Sequence, residues 1–305
     1  TQGDVVILIN YITQVLLALI VVANLVVIFT KASASSIRIN EVLECTPSIL
    51  DNETTLNIDK NSEATDNIVE FDNVSFKYNT EDVLTNISFS IKKGEVFGIV
   101  GTTGSGKSTV ANLIPRFYDA TEGAVFFKGK NVKDVSQGYL HKHIGVVPQK
   151  AILFTGTIKE NLKWGKEDAT DEEVIEALKS AEAYDFVSKM KDGINSPIYE
   201  GGKNFSGGQR QRLTIARALV KKPELIILDD SLSALDYATD KKLRQSLKDN
   251  LKDTTTVIIS QRISSIISAD KILVLDDGKC VGLGTHEELL KDCSTYIQIY
   301  ESQLK

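Results

Sequence analysis

The sequence predicts an α/β fold with a largely parallel sheet, preceded by one long membrane-spanning helix. Three observations support this prediction. Residues 5–30 contain no charged side chain and consist mostly of Val, Ile, Leu and Ala. From about Ile68 onward, runs typical of strands alternate with runs typical of helices, which favours a parallel sheet with helices packed on it. Residues 96–100 form an apolar run that leads into a glycine-rich loop and then into a helical pattern.

Residues 5–30 are long enough to cross a lipid bilayer as a helix. They would extend about 39 Å, compared with roughly 30 Å for the hydrocarbon layer. The run is too long for a secretory signal and begins after Asp4 without a basic segment. A buried helix of a soluble domain is the remaining alternative. Because Lys31 and Arg38 follow the run, the positive-inside rule places its C-terminal side in the cytoplasm.

The chain divides into three predicted segments. Residues 1–45 form the membrane helix and its cytoplasmic extension, residues 46–67 form a polar linker, and residues 68–305 form the α/β domain. Residue 1 is Thr and the only methionine is Met190, so we expect a fragment or a processed piece of a longer chain. Polar residues within the apolar run predict that the helix packs in a larger bundle; these are Asn10, Gln14 and Asn24.

Charge and cysteine content exclude some classes of function. The formal net charge is −6 and no basic stripe is present, so we expect no nucleic-acid partner. The three cysteines, Cys45, Cys280 and Cys293, are scattered and match neither a metal-binding spacing nor a disulfide framework. This cysteine content is consistent with a reducing, cytosolic compartment for the α/β domain.

Several local patterns place helix starts and a hairpin. Thr170 with Glu173, and Thr285 with Glu288, have the spacing of capping boxes, in which each side chain bonds the backbone N–H of the other residue. The apolar residues 272–275 are followed by Asp-Asp-Gly, which predicts a strand that enters a tight hairpin.

The loop at residues 101–108 matches the pattern G-x-x-x-x-G-K-[ST], which binds nucleotide triphosphates and Mg²⁺. Its glycines let the backbone approach phosphates, and the following helix offers free N–H donors at its positive end. A ligand-free glycine-rich turn would need neither Lys107 nor Ser108. Pro115 is expected to kink or end the helix. The predicted ATP-binding residues of this region are Gly101, Thr102, Thr103, Gly104, Ser105, Gly106, Lys107, Ser108 and Thr109.

A second element of a Mg²⁺–nucleotide site follows later in the chain. Residues 225–228 are apolar and lead to Asp229, so a strand is predicted to end in a carboxylate. Such an aspartate holds the metal directly or through water, while Ser108 supplies another oxygen ligand. An apolar run that ends in Asp is common and indicates little by itself. The phosphate-binding loop earlier in the chain supports the prediction that Asp229 binds the metal.

Residues 204–212 connect these elements to a known family. Their sequence, NFSGGQRQR, resembles the signature motif of ATP-binding-cassette (ABC) transporters, usually LSGGQ, with Phe205 in the leucine position. A serine and two glycines that open a helix form another anion-binding terminus. The resemblance implies that this motif contacts ATP bound by a partner domain, so that two cassettes enclose two ATP molecules. The residues concerned are Ser206, Gly207, Gly208 and Gln209.

Other elements of that family follow in order across residues 68–288. Tyr78 matches the aromatic residue that stacks on adenine, with an ordinary strand aromatic as the alternative. Gln149 matches the glutamine that contacts Mg²⁺ and couples to the membrane domain. Asp236 lies in the loop that crosses to the partner's site. The resemblance implies a P-loop NTPase core with an antiparallel β subdomain and an α-helical subdomain.

The apolar run fused before the cassette looks like the last transmembrane helix of an exporter half, because importer cassettes are usually separate chains. The resemblance implies a multi-pass protein of the cell membrane with its ATP-binding domain in the cytoplasm. It further implies ATP and Mg²⁺ as cofactors, a second half-transporter as partner, contact with the lipid bilayer and a transported substrate. A multidrug-type exporter is favoured, and the substrate stays open.

Two positions depart from the family pattern. Asp230 stands where the family has a glutamate general base, and Gln261 stands where a histidine is expected. Aspartate is one methylene shorter, and a displacement near 1 Å can cost about a hundredfold in rate. Glutamine still forms hydrogen bonds with a phosphate but carries no charge. We therefore expect the slow half of a heterodimer, whose own site retains ATP and whose signature motif completes the partner's hydrolytic site.

Three other interpretations remain. A regulatory module would use ATP to clamp a dimer without hydrolysis, and a homodimeric exporter would contain two slow sites. A chromosome-maintenance ATPase of the same superfamily is disfavoured because the transmembrane run is present and long coiled-coil heptads are absent. Raised turnover after Asp230→Glu with Gln261→His would favour the exporter half over the regulatory module.

Overall fold

A computed structural model describes residues 2–51, 65–250 and 254–304. The chain divides into two compact units, residues 1–50 and residues 51–305. Most of the predicted linker, residues 46–67, falls outside the described residues.

Strands and helices are numbered in chain order along the described residues. The strands are β1 Asn67–Tyr78, β2 Glu81–Lys92, β3 Val96–Gly101, β4 Glu122–Phe127, β5 Lys130–Asn131, β6 Ile144–Val147, β7 Gly156–Thr157, β8 Pro197–Ile198, β9 Leu225–Asp229, β10 Thr255–Ile259, β11 Lys271–Asp276 and β12 Lys279–Gly284. The α-helices are α1 Gln2–Leu43, α2 Lys107–Leu113, α3 Gln137–His143, α4 Ile158–Lys163, α5 Asp171–Ser180, α6 Tyr184–Val187, α7 Gly207–Leu219, α8 Tyr237–Asn250, α9 Ile263–Ile266, α10 His286–Asp292 and α11 Ser294–Leu304.

The first unit is dominated by the single long helix α1, which continues well past the apolar run. By length and composition this helix is able to cross a membrane. The hydroxyls of Thr13 and Thr30 donate hydrogen bonds to the carbonyls of Ile9 and Val26, one turn back, each at 2.8 Å. Such bonds satisfy hydroxyl groups that would otherwise lack partners in an apolar environment.

The second unit is built on a six-stranded sheet with the order β12-β11-β3-β10-β9-β6. Its strand pairs are parallel except for β11 with β12. Strand β9 is buried on both faces, as parallel strands usually are. Leu225 and Ile227 join one hydrophobic cluster, while Ile226 and Leu228 join another on the opposite face. The prediction of an α/β fold with a largely parallel sheet is confirmed.

A second sheet packs against one face of this core. It is antiparallel with the order β2-β1-β4-β5. Phe71 of β1 stacks on Phe89 of β2 at 4.5 Å, and Phe89 stacks on Phe97 of β3 at 5.2 Å. These three rings join the two sheets into one core, which also receives Val110 and Leu113 from α2. The predicted antiparallel subdomain is confirmed.

Helices α4, α5 and α7 pack together on the other face of the core, and with α6 they form the predicted helical subdomain. Both predicted capping boxes are present, because Thr170 and Thr285 exchange hydrogen bonds with Glu173 and Glu288. The predicted hairpin joins β11 to β12. Its turn residues Asp277 and Gly278 both have positive φ, 45° and 71°, as a tight two-residue hairpin requires.

Candidate nucleotide-binding site

Sheet topology brings the predicted site residues to one edge. Strand β3 lies between β11 and β10, and β10 lies beside β9. Since these strands are parallel, their carboxyl ends meet at the same edge, where ligands usually bind in such sheets. Gly101, Ile259 and Asp229 are the last residues of β3, β10 and β9. The loop after β3 and the carboxylates after β9 therefore face each other.

The glycines of the loop have distinct structural reasons. A Cβ at Gly101 would collide with the carbonyl of Leu275 and would lie 2.6 Å from the hydroxyl of Ser105. Gly104 and Gly106 have φ values of 84° and 93°, in the left-handed region that favours glycine. The loop thereby turns tightly enough to end at the first turn of α2.

The ammonium group of Lys107 lies at the centre of this loop. Its Nζ donates to the carbonyls of Gly101 at 3.0 Å and Thr102 at 2.6 Å, and to the Ser105 hydroxyl at 3.4 Å. The residue is only 9% exposed. Burial lowers the pKa of Lys107, and the charges of Asp230 and Asp229 oppose that shift. The ammonium is thus held by loop acceptors in a position from which it can bind an anion.

A hydroxyl and a carboxylate meet beside Lys107. The Ser108 hydroxyl donates to Oδ1 of Asp229 at 3.1 Å. Burial raises the pKa of Asp229, and the bond from Ser108 acts in the opposite direction. Mg²⁺ prefers a small number of hard oxygen ligands from the protein and takes the rest from water and phosphates. This pair of oxygens fits Mg²⁺ by its chemistry.

Asp230 follows Asp229, but its carboxylate has a different hydrogen-bond partner. Gln149 donates from Nε2 to Oδ2 of Asp230 at 3.1 Å. The backbone of Asp230 has φ 44°, an unfavourable region for most side-chain-bearing residues. Its N–H donates to the carbonyl of Ile259 at 2.9 Å, and its own carbonyl accepts the Ser233 hydroxyl at 2.7 Å. These bonds fix the carboxylate at the edge of the sheet.

These groups line one cleft of about 320 Å³. Ten of its lining residues were predicted from the sequence, and they are Thr103, Gly104, Gly106, Lys107, Ser108, Thr109, Gln149, Asp229, Asp230 and Gln261. Val83, Ile259 and Ser260 complete the lining among the described residues. Gly101, Thr102 and Ser105 lie in the same loop and hold Lys107. The chemistry of this lining fits a phosphate chain and a Mg²⁺ ion.

Tyr78 lies outside the lining of the cleft. It is the last residue of β1, and its side chain is 38% exposed. Its ring contacts Phe76 edge-on at 4.7 Å and Tyr118 edge-on at 5.2 Å. An exposed aromatic face at the end of a strand is available for stacking, so the adenine role stays a prediction.

The predicted partner-facing residues form a separate group. Ser206 is the N-cap of α7. Its hydroxyl accepts from the N–H of Gln209 at 3.3 Å, while Oε1 of Gln209 accepts from the N–H of Ser206 at 2.9 Å. Gly207 has open space where a Cβ would be, and a Cβ at Gly208 would lie 3.5 Å from the Ala234 carbonyl. This group is not part of the cleft lining.

Asp236 lies directly before helix α8 and close to this group. Its carboxylate accepts from the N–H of Thr239 at 3.0 Å and from the Thr239 hydroxyl at 2.7 Å. These hydrogen bonds lower the pKa of Asp236. The carboxylate is therefore ionised at neutral pH and already serves as a helix cap.

The sequence profile of the ABC transporter family matches residues 84–233 of this chain. This range includes the phosphate-binding loop, Gln149, the signature motif and both aspartates after β9. The chain contains an ABC transporter ATP-binding domain. Its core is therefore the mixed α/β fold of such domains, preceded by one long apolar helix.

The similarity to curated proteins covers most of this chain. An uncharacterized ABC transporter ATP-binding protein, YfiB of Bacillus subtilis, is 45% identical over 99% of this chain and 52% of its own length. A putative multidrug export ATP-binding/permease protein of Staphylococcus aureus is 45% identical over 77% of this chain and 41% of its own length. This chain thus spans about half the length of these curated relatives.

One solved structure is also similar to the ATP-binding domain and the segment before it. It is a bacterial Atm1-family ABC exporter with ATP bound, which superimposes with a TM-score of 0.84 at 32% sequence identity. The similarity covers 90% of this chain and 48% of that chain.

The sequence did not indicate one residue that contacts the ATP-binding cleft from outside. Gln303, near the end of α11, donates from Nε2 to the carbonyl of Gln261 at 2.7 Å and accepts from the N–H of Ile263 at 2.9 Å. The chain separation between Gln303 and Gln261 is 42 residues, so no local pattern could have revealed this contact.

Proposed function

We propose that this chain is the ATP-binding subunit of an ABC exporter, in which a dimer of ATP-binding domains couples ATP binding and hydrolysis to export of a substrate. The apolar helix α1 before the ATP-binding domain supports an exporter, as do the relative named for multidrug export and the Atm1-family structure. The intact protein is then a multi-pass protein of the cell membrane. The polar positions Asn10, Gln14 and Asn24 suit a helix packed among others.

Nucleotide binding is assigned to the side of the cleft that contains the loop. Lys107 exchanges its loop acceptors for phosphate oxygens, and the N–H groups at the start of α2 bind the remaining charge. Ser108, Asp229 and Gln149 would hold Mg²⁺, which supplies positive charge to the phosphate oxygens when bound. Tyr78 stacks on the adenine. These residues retain the types that binding requires.

We assign slow hydrolysis to two residues of the same cleft, and one observation carries that assignment. Asp230 and Gln261 line the same cleft from the ends of β9 and β10, where the family has glutamate and histidine. The Asp230 carboxylate is one methylene shorter and is engaged by Gln149. Gln261 can bind a phosphate but contributes no charge. Both the general base and the phosphate contact are thus weakened together.

The signature residues are assigned to a second chain's nucleotide. Ser206, Gly207 and Gly208 lie at the start of α7 and outside the cleft lining. Gly207 has open space where a Cβ would be, whereas a Cβ at Gly208 would lie 3.5 Å from the Leu235 side chain. The N–H groups of Gly207 and Gly208 would bind an ATP molecule held by a partner subunit, with Asp236 beside it. The partner is then a second ABC half-transporter that contains the faster hydrolytic site.

A second candidate function is a regulatory module that binds ATP and clamps a dimer without hydrolysis. The hydrogen bond from Gln149 to Asp230 favours it, because a carboxylate held in this way is less free to accept a proton from water. The two candidates agree on binding and differ on whether this site turns ATP over.

The test compares the two sites in the intact transporter, reconstituted with its partner in lipid. Replacing the partner's general base by glutamine should abolish most ATP turnover, whereas Asp230→Asn should change turnover less than twofold. Thr285→Ala serves as a control for a general loss of stability, since it removes the cap of α10 and does not change the cleft lining. If the partner's variant keeps full turnover while Asp230→Asn loses it, the assignment of the slow site is wrong.

A further inference from the structure

The loop that holds Gln261 receives a side chain from the far end of the chain. This loop, residues 260–263 and named the switch loop, lies between β10 and α9. Helix α9 begins at Ile263, and its N-cap residue Arg262 provides no side-chain hydrogen bond. Gln303 of α11 provides that bond instead, because its Oε1 accepts from the N–H of Ile263 at 2.9 Å. A first-turn N–H without an intrahelical partner is thereby satisfied.

The same side chain bonds the other end of the loop. Nε2 of Gln303 donates to the carbonyl of Gln261 at 2.7 Å. One amide therefore spans Arg262 and binds the residue on each side of it. An amide supplies both a donor and an acceptor at these two positions, whereas a carboxylate would place an oxygen against the Gln261 carbonyl.

The opposite anchor of the switch loop is rigid. Ser260 is buried, its N–H donates to the carbonyl of Ile99 at 3.1 Å, and its hydroxyl accepts from the N–H of Arg262 at 2.9 Å. Ile99 belongs to β3, the strand that leads into the phosphate-binding loop. Gln261 thus lies between one anchor on the central sheet and one anchor on α11.

Helix α11 is firmly placed on the core. Tyr296 is fully buried, and its hydroxyl is 2.8 Å from Nδ1 of His286. Burial raises the pKa of Tyr296 to about 12. Tyr300 packs against the same hydrophobic cluster one turn later. The spacing of Tyr296, Tyr300 and Gln303 puts all three on one helix face, so the packing of α11 directs Gln303 at the switch loop.

We propose that Gln303 is a positioning residue for the γ-phosphate contact of Gln261. This inference rests on the proposed function, in which the cleft binds ATP and Gln261 faces its terminal phosphate. The amide of Gln303 fixes the backbone on both sides of Arg262 and thereby sets where the Gln261 side chain enters the cleft. It acts on ATP and not on ADP, because ADP lacks the phosphate that Gln261 reaches.

The test measures ATP and ADP binding to this subunit in the intact, assembled transporter. Photolabelling by azido-ATP identifies this chain, and competition by ATP or ADP gives the preference between them. Gln303→Met keeps the length of the side chain and removes both hydrogen bonds. It should lower the ATP-to-ADP preference about fivefold, the effect of one net hydrogen bond, with ADP competition within twofold of the unmodified protein.

Two further variants make the result specific. Gln303→Glu should lose the same preference, since it retains the acceptor but repels the Gln261 carbonyl. Gln245→Met, on the exposed face of α8, is the matched control and should change nothing. In a Gln261→Ala background, Gln303→Met should have no further effect on the preference, because the contact that it positions is already gone.

Three outcomes would overturn the inference. The first is an unchanged preference in Gln303→Met, and the second is a fivefold loss that persists in the Gln261→Ala background. The third is an equal loss of ATP and ADP binding, which would indicate a structural role only. If the unmodified chain is not labelled by azido-ATP at all, the proposed function fails, whatever Gln303 does.

Discussion

Two helices of this molecule begin beside a glycine and have N–H groups available to an anion. The side chains around the two helix starts differ. Helix α2 begins at Lys107 after Gly106, which has no side chain to cap the helix. Helix α7 begins after Ser206, which is closed by a capping box with Gln209. The first is surrounded by an ammonium, a hydroxyl and two carboxylates within one cleft. The second has open space at Gly207 and lies outside that cleft.

This difference in surrounding side chains indicates where each helix start finds its ligand. The start of α2 has its own cation and a pair of oxygens that fits Mg²⁺, which supports our proposal that it binds a nucleotide within this chain. The start of α7 is stable without a ligand because its own side chains cap it. It supplies N–H groups and lacks the lysine and carboxylates that complete a nucleotide site. We propose that a second chain brings the nucleotide that α7 contacts.

The largest expected effect is the loss of nucleotide from the α2 site. Lys107→Ala should weaken ATP binding to this subunit about a hundredfold, because it removes the charge that faces the phosphates from a buried position. Competition for azido-ATP labelling of this chain measures the change. Lys93→Ala, an exposed lysine before β3, is the control and should bind normally. Equal binding by both variants would contradict the assignment of the cleft.

An intermediate effect is expected at the start of α7. Ser206→Ala should leave ATP binding to this chain within twofold and lower turnover of the assembled transporter about tenfold, since the lost hydroxyl faces the partner's nucleotide. The cap also contributes stability, so the variant should lose about 1 kcal/mol.

Thr170→Ala is the matched control for Ser206→Ala, because it removes the same kind of capping box from α5. It should cost a similar stability without changing turnover. If both variants reduce turnover equally, Ser206→Ala acts through stability alone. The proposed difference between the starts of α2 and α7 is then wrong.

The smallest expected effect concerns the cap of α8. Hydrogen bonds from Thr239 lower the pKa of Asp236 from its ordinary value of 3.8, so the ionised carboxylate stabilises the fold above that value. This contribution should be constant between pH 7 and about pH 5 and disappear as pH falls through the lowered pKa. The difference in melting temperature between the unmodified protein and Asp236→Ala measures it. A difference that grows on acidification would contradict the sign.

Local sequence patterns predicted much of the fold, but they predicted the candidate nucleotide-binding site only in part. The capping boxes of Thr170 and Thr285 depend on residues three positions apart, so the sequence predicted them. The order of strands does not follow from spacing, and it is this order that brings the ends of β3, β9 and β10 together. The positive φ of Asp230 is likewise set by its bond to Ile259, a neighbour in space.

The remaining features required contacts between distant parts of the chain. Gln303 reaches the switch loop because α11 packs beside α9, and nothing near Gln303 in the sequence marks it. The capping box at Ser206 lies within the signature motif and was anticipated only as a helix start. Motif matching found the residues that we propose as phosphate contacts, and the structure was needed to find those that hold them in place.

The most direct test of the slow site restores the two missing groups together. Asp230→Glu with Gln261→His should raise hydrolysis at this site at least about tenfold, since it returns the length of the base and a protonatable phosphate contact. Vanadate trapping of labelled azido-nucleotide on this subunit of the assembled transporter reports its turnover separately from the partner's. We predict weak trapping in the unmodified chain and strong trapping in the double variant. Strong trapping in the unmodified chain, unchanged by the substitutions, would contradict the account.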